Sequence, residues 1–401
     1  MRSVLSLCIV ALLGIAPAAA QESKPLRIGV LEDMSGVYAD ITGQGSVVAA
    51  ELAIADFGPT VLNRKIELVS ADHQNKADVG GGIARRWLDV DDVEMITGIG
   101  NSSVALAVRN LTREKKKIDI VTSAGLNDLT GKACSPTGFH WVYNTYALAK
   151  TVASASVKAG GDSLFFVAAD YAFGNSLAKD GARFAEEAGG KVIGTVRAPL
   201  NSPDFSSFLL QAQASKAKNI GMAMAGQDVV NFIKQAAEFR IVEPGQGLLA
   251  MIMFINDIYA IGPKTTQGLY FAETFYWDAD DETRAFAKRF FERRKAMPNG
   301  MQAGVYSAVK HYLNAVKAAG TTDATTVADK MRATPVNDFF SKNVRIREDG
   351  RVLRDVHLFL VKKPEDSKAL WDLMTLVKTV KGEDAFQPLA ESECPLVASS
   401  K

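Results

Sequence analysis

The chain has 401 residues, with 46 Lys and Arg against 45 Asp and Glu, and 47% of its residues are hydrophobic. So small a net charge leaves no basic field for nucleic acid or acidic lipid, and the length is enough for two domains or lobes, each with its own core. After the first twenty residues no run is apolar for the length of a bilayer span; the longest, 247–255, is strand-sized.

The predicted elements begin with an address. Met1 and Arg2 open the chain, an apolar run from Val4 to Ile15 follows, and Ala18-Ala19-Ala20-Gln21 comes next. A basic start, a short apolar core and small residues at a cleavage site are the layout of a secretory signal peptide. The run is shorter than the about 20 residues of a spanning helix, which disfavours an uncleaved anchor. Export with cleavage after Ala20 is therefore expected. Cys8 lies inside the apolar core, after Ser6-Leu7, which is not a lipid-attachment site. Losing residues 1–20 removes only Arg2 among the charged residues and leaves the two signs balanced.

Short β-rich runs then alternate with amphipathic ones. Strands are predicted at 26–31, 65–71, 94–98 and 118–123, with helices at 43–57, 77–88 and 102–114. A second block has strands at 163–168, 191–197, 219–223, 248–254 and 268–272, with helices at 146–159, 174–188, 204–216 and 228–239. Several strands are apolar nearly throughout, as parallel strands buried on both faces are. Val229, Phe232, Ile233, Ala236 and Ala237 share one helical face, and Asn201-Ser202-Pro203-Asp204 is a helix-start signal. Helices at 282–295, 303–319 and 325–332 and hairpin-like runs at 344–346 and 352–361 complete the pattern. Such alternation predicts an α/β fold with parallel sheets and right-handed crossovers. The two blocks, about 26–143 and 145–272, have no flexible tether between them. A ligand then belongs between them, at the C-terminal ends of the strands. There are no heptads and no left-over apolar face, so a monomer is expected.

Signals for catalysis, metal or cofactor are weak. His73, His140, His311 and His357 do not pair at metal-ligand spacing, and no G-x-S-x-G elbow occurs. The stretch 125–132 has the wrong glycine spacing for a phosphate loop, and Ala133 stands where a Ser or Thr would hold magnesium. Gly80-Gly81-Gly82 reads as close packing or a tight turn, and Asp89, Asp91, Asp92 and Glu94 as a solvated turn without the glycine and spacing of a calcium loop. No metal and no cofactor is expected. Once Cys8 leaves with the signal, Cys134 and Cys394 remain. In an exported chain they read as one disulfide closing a long loop, with two free thiols as the alternative.

Signals for binding are better. Gly98-Ile99-Gly100-Asn101-Ser102-Ser103 runs from strand through turn into a helix start, where free N–H groups and hydroxyls suit a carboxylate. The strand end 120–125 finishes in the same way, so the two ends form a candidate shared anion site; two capped helices without a ligand are the plain alternative. Aromatic residues gather at strand ends too: Tyr38, Tyr171 and Phe173, and Trp277 after Phe275-Tyr276. In loops between lobes they would wall an apolar ligand; core or hinge packing is the competing reading. Asp257 is a candidate polar contact or a helix cap.

The ordered segments RIGVLEDMSGVYAD, KIELVSADHQNKADV, MITGIGNSSVALAV, IVTSAGLNDLTGKACSP and FFVAADYAFGNSLAKDGA resemble the periplasmic branched-chain amino-acid-binding protein family, the solute receptors of ABC importers. The resemblance runs from about Leu26 to Pro395. It implies a two-lobed type I periplasmic-binding fold with three crossings, lobe one from 26–143 plus 274–350 and lobe two from 144–273 plus 351–395. It also implies a periplasmic location, closure on a small carboxylate ligand, and delivery to a membrane permease without catalysis. By position, the carboxylate-holding serine falls at Ser102 and the adjacent backbone contact at Ala124. A threonine expected next is replaced by Leu126. A ligand-facing tyrosine falls at Phe173, two residues after Tyr171. A tyrosine expected after the strand 219–223 is absent from Ala225-Gly226-Gln227-Asp228, and the ammonium-holding acid falls at Asp257. These departures weaken the amino clasp. They favour a carboxylate with an apolar or aromatic body, with a branched-chain amino acid as the competitor. A sensory receptor of the same fold, reporting to a signalling partner, is the alternative function.

Overall fold

The computed structural model describes residues 24–241 and 245–398; the expected signal peptide lies outside them. The chain builds two mostly parallel sheets. The first holds β1 (Leu26–Glu32), β2 (Thr60–Val61), β3 (Arg64–Asp72), β4 (Val93–Gly98), β5 (Ile118–Val121) and β6 (Gly138–His140), in the order β2-β3-β1-β4-β5-β6. It is parallel except for the β2–β3 hairpin. Its crossovers are α1 (Gly43–Phe57), α2 (Ala77–Asp89) and α3 (Ser102–Glu114). β1 is central because every residue in it except Arg27 is buried, which suits a strand covered on both faces. α2 lies tight on α3: a Cβ on Gly80 would stand 2.4 Å from Val104 Cγ1, so this glycine serves packing.

After α4 (Thr145–Lys158) the second sheet begins. β7 (Ser163–Ala169), α5 (Ala172–Glu187), β8 (Lys191–Ala198), α6 (Ser206–Ala214), β9 (Asn219–Ala223), α7 (Gln227–Glu238), β10 (Gly247–Ala250), α8 (Ile255–Ile261), α9 (Pro263–Thr266) and β11 (Tyr270–Glu273) follow in turn. The chain then returns to the first lobe through α10 (Asp281–Arg294), α11 (Gly300–Ala319) and α12 (Ala324–Ala333), with α11 packed along α1. It crosses once more to add β12 (Val356–Val361) and β13 (Met374–Val380), which complete the order β13-β12-β11-β10-β9-β7-β8. This is the two-lobed type I periplasmic-binding architecture.

Two features fasten the crossings. Arg351 donates to the carbonyls of His140 and Tyr143, the latter at 3.2 Å, and Arg354 donates to that of Trp141 at 3.3 Å, so the first and third crossings are held together. Cys134 and Cys394 are bonded, at a sequence separation of 260, and tie the tail to the first lobe.

The second lobe departs from expectation at its edges. The run 248–254 stops being a strand at Ala250. Asp257 Oδ2 accepts the Phe254 N–H at 2.9 Å and starts α8, so the apolar residues 251–254 are buried coil. β12 and β13 pair antiparallel with their neighbours rather than parallel.

Candidate functional site

The C-terminal ends of β1, β4 and β5 face those of β7 and β9 across a narrow cleft. Tyr38, Ile41, Thr42, Gly100, Ser102, Ser123, Ala124, Gly125 and Met301 of the first lobe meet Tyr171, Phe173 and Ala225 of the second, with Tyr143 from the crossing. The enclosed free volume is about 10 Å³, room for about one water molecule.

One wall is formed by two strand ends and a helix start. β4 and β5 are neighbours, and Thr122 N–H donates to the Gly98 carbonyl at 3.1 Å, which brings both strand ends together. Ile99 between β4 and α3 has φ 64° and is wholly buried. For a β-branched residue this is strained backbone of about 1–3 kcal/mol, held by the packing around it. The Asn101 side chain caps α3 by accepting from Ser103 and Val104 N–H groups. Ser102, the first residue of α3, is 1% exposed, and its Oγ has no hydrogen-bond partner. It sits at the positive end of the helix dipole. The Ala124 carbonyl is held from behind by His140 Nε2 at 2.7 Å. Burial and the Arg351 charge keep this imidazole's pKa low, so it is neutral and Nε2–H donates.

The opposite wall is aromatic. Asp33 accepts the N–H groups of Gly36 at 2.7 Å and Tyr38 at 2.8 Å, folding the loop that carries Tyr38. Its hydroxyl meets that of Tyr171 at 2.5 Å across the lobes. Tyr143 O–H donates to the Ser123 carbonyl at 2.6 Å. A Cβ on Gly125 would stand 2.8 Å from the Phe173 ring and 2.9 Å from that of Tyr143, so glycine is required there.

Of the residues expected at the site, Tyr38, Ser102, Ala124, Tyr171 and Phe173 line this cleft. Ser103 N–H is spent on the Asn101 cap, and Leu126 is buried in the apolar cluster under the first sheet. Trp277 Nε1 donates to the Trp371 carbonyl at 3.1 Å, and its ring packs against the second-lobe core. Asp257 caps α8 and lines a separate cavity of about 260 Å³ with Asp40, Asn201 and Gln227; burial and then Asp40 raise its pKa to about 7. Ser123 falls in the strand end 120–125 read as part of the anion site, whereas Thr42, Tyr143, Ala225 and Met301 are not singled out by the sequence. These four come from separate segments, and only the folded topology joins them.

A narrow cleft between two α/β lobes, with a buried unpartnered hydroxyl on one wall, is the arrangement of a solute-binding protein. Residues 25–368 match the model of the periplasmic binding protein family, and the chain belongs to it. A periplasmic binding protein of Burkholderia mallei is similar at 47% identity and a TM-score of 0.91, over 93% of this chain and 99% of that one. A branched chain amino acid ABC transporter periplasmic ligand-binding protein of Burkholderia xenovorans is similar at 41% identity and 0.82, over 93% and 100%. The Leu/Ile/Val-binding protein homolog 6 of Brucella melitensis is 22% identical over 299 residues, which are 74% of this chain and 75% of that one. Among the described residues no helix is long and apolar enough to cross a membrane.

Proposed function

We propose that the protein captures a small carboxylate with a compact apolar or aromatic body and delivers it to the permease of an ABC importer. The observation that carries this reading is the composition of the cleft. The unpartnered Ser102 Oγ lies at the start of α3, four aromatic residues line the same cleft, and none of the lining residues is charged. A carboxylate gains the hydroxyl and the helix dipole there. An ammonium group finds no ionised carboxylate in the cleft.

The lobes, 26–143 with 274–350 and 144–273 with 351–395, close on the ligand by a hinge at the crossings. In the closed arrangement there is room for about one water molecule, so entry requires the Tyr38–Tyr171 contact to part. Export with cleavage after Ala20 brings the protein to the periplasm; a mature N-terminus at Gln21 is the expected sequencing result.

The name of the Burkholderia xenovorans relative favours a second reading, a branched-chain amino acid. A thermal-shift and calorimetric panel of benzoate, 4-hydroxybenzoate, short aliphatic carboxylates, leucine, isoleucine and valine separates the two. A ligand at a hundredfold excess over Kd stabilises the folded state by about 2.7 kcal/mol. Binding of acids that lack an amino group is expected. Tight binding of leucine or valine alone would replace the first reading with the second.

A further inference from the structure

Directly beneath the wall that carries Ser102 lies a carboxyl group that the binding reading does not use. Glu32 ends β1 and is wholly buried. Its Oε1 accepts the hydroxyls of Ser123 at 2.8 Å and of Ser46, on α1, at 3.0 Å; Ser123 lines the cleft. Its Oε2 has no hydrogen-bond partner. Two glycines make space for the group: a Cβ on Gly98 would stand 2.7 Å from Oε1, and one on Gly100 2.6 Å from Oε2. The titratable groups facing it are acidic or neutral. Asp33 follows it on the chain, Tyr143 reaches over from the crossing, and on β3 Asp72 is its register partner, with His73 donating its N–H to the Glu32 carbonyl. No cation is paired with it among the described residues.

We infer that Glu32 is a neutral carboxylic acid that positions Ser123 in the cleft wall and, once ionised, expels the bound carboxylate, making ligand retention sensitive to alkaline pH. This deepens the carboxylate reading above and rests on it. Burial, the largest cause, raises the Glu32 pKa to about 8, against the two serine hydroxyls and the nearby Gly100 N–H, with Asp33 adding to the rise. A wholly buried carboxyl with no paired cation is favoured in its neutral form, because burial penalises the charge. When the proton goes, a full negative charge stands under the ligand's own, in a medium where like charges interact strongly.

The test follows benzoate and, in parallel, leucine by calorimetry on the full mature chain from about pH 6 to 9.5, a range spanning the Glu32 titration. In the unsubstituted protein, affinity is expected to fall about tenfold or more across that range, as a coupled ionisation allows. Glu32→Gln, which keeps an acceptor and a donor without charge, is expected to hold its own neutral-pH affinity up to the alkaline limit. An equal alkaline loss in both proteins, or none in either, overturns the inference. A second readout is carboxyl-¹³C-glutamate NMR of the ligand-free protein, which reports whether Glu32 and the other buried glutamate, Glu273, stay protonated through neutrality; Glu32→Gln and Glu273→Gln assign the two signals. Ionisation of every glutamate by about pH 6, as for ordinary carboxyls, overturns the inference even if the variant does not fold. Failure of every carboxylate to bind, with Glu32 neutral by NMR, overturns the carboxylate reading and the expulsion step while leaving the neutral acid established.

Discussion

Ser102→Ala removes the one cleft hydroxyl that has no partner in the protein. Thr42 and Ser123, by contrast, each hold a neighbouring backbone or side chain. Since Ser102 Oγ makes no internal hydrogen bond, its loss is expected to leave the melting temperature of the ligand-free protein unchanged. Affinity for a carboxylate is expected to fall by about 1–3 kcal/mol, the worth of a charge-assisted hydrogen bond. Calorimetry and a melting curve of the same sample check both; unaltered affinity would place the carboxylate elsewhere. Asp257 teaches the complementary lesson. An acid just after a strand is an attractive ammonium partner on paper, yet the Phe254 N–H claims one of its oxygens, because a helix start needs an acceptor there.

At the scale of elements, closure depends on the loop between β9 and α7. Gly226 has φ 62°, and a Cβ there would stand 2.4 Å from the Val37 carbonyl oxygen in the other lobe. The neighbouring Gln227 N–H donates to that same oxygen at 2.9 Å. Gly226→Val is therefore expected to hold the lobes apart: a larger radius of gyration by small-angle scattering with ligand present, and ligand affinity weakened at least about tenfold, since every 1.4 kcal/mol of lost closure energy is one decade. Unchanged scattering and affinity would show that this contact does not close the cleft. The physics also explains which elements are visible in sequence. β1, β4, β7 and β9 are buried on both faces and read directly as apolar runs. β13 escaped because it is an edge strand whose residues 375–378 are exposed, and β6 because three residues carry no period. Burial alone does not distinguish a strand from apolar coil, which is why the predicted strand 248–254 overran Ala250. Ser102 and Ala124 were legible as small residues at strand ends. Tyr143 and Met301 depend on the chain's crossings, which leave no local signature.

For the whole molecule, the Cys134–Cys394 bond and the buried titratable groups set the conditions of stability. The bond joins the tail to the first lobe, away from the cleft. The double Cys→Ser variant is expected to lose about 2–5 kcal/mol in denaturant unfolding while keeping its ligand affinity. The pH profile has two opposing sources. Burial raises Glu32 and Glu273 to about 8 and Asp257 to about 7. The folded state therefore holds protons that the unfolded chain gives up above its ordinary carboxyl values, and this stability is complete at low pH and drains as pH rises to about 8. Burial lowers all four histidines, His73 to about 4. Their contribution is complete above the ordinary value of 6.5 and drains as pH falls. The two slopes cross between them, so the melting temperature of the ligand-free protein is expected to peak between about pH 5 and 6.5. Calorimetric scans from about pH 4 to 9 check this, and Glu273→Gln is expected to flatten the alkaline limb selectively. A plateau running unbroken from about pH 6 to 8.5 would mean that the buried glutamates are ionised in the folded state, and that the lobes spend no stability on holding them neutral.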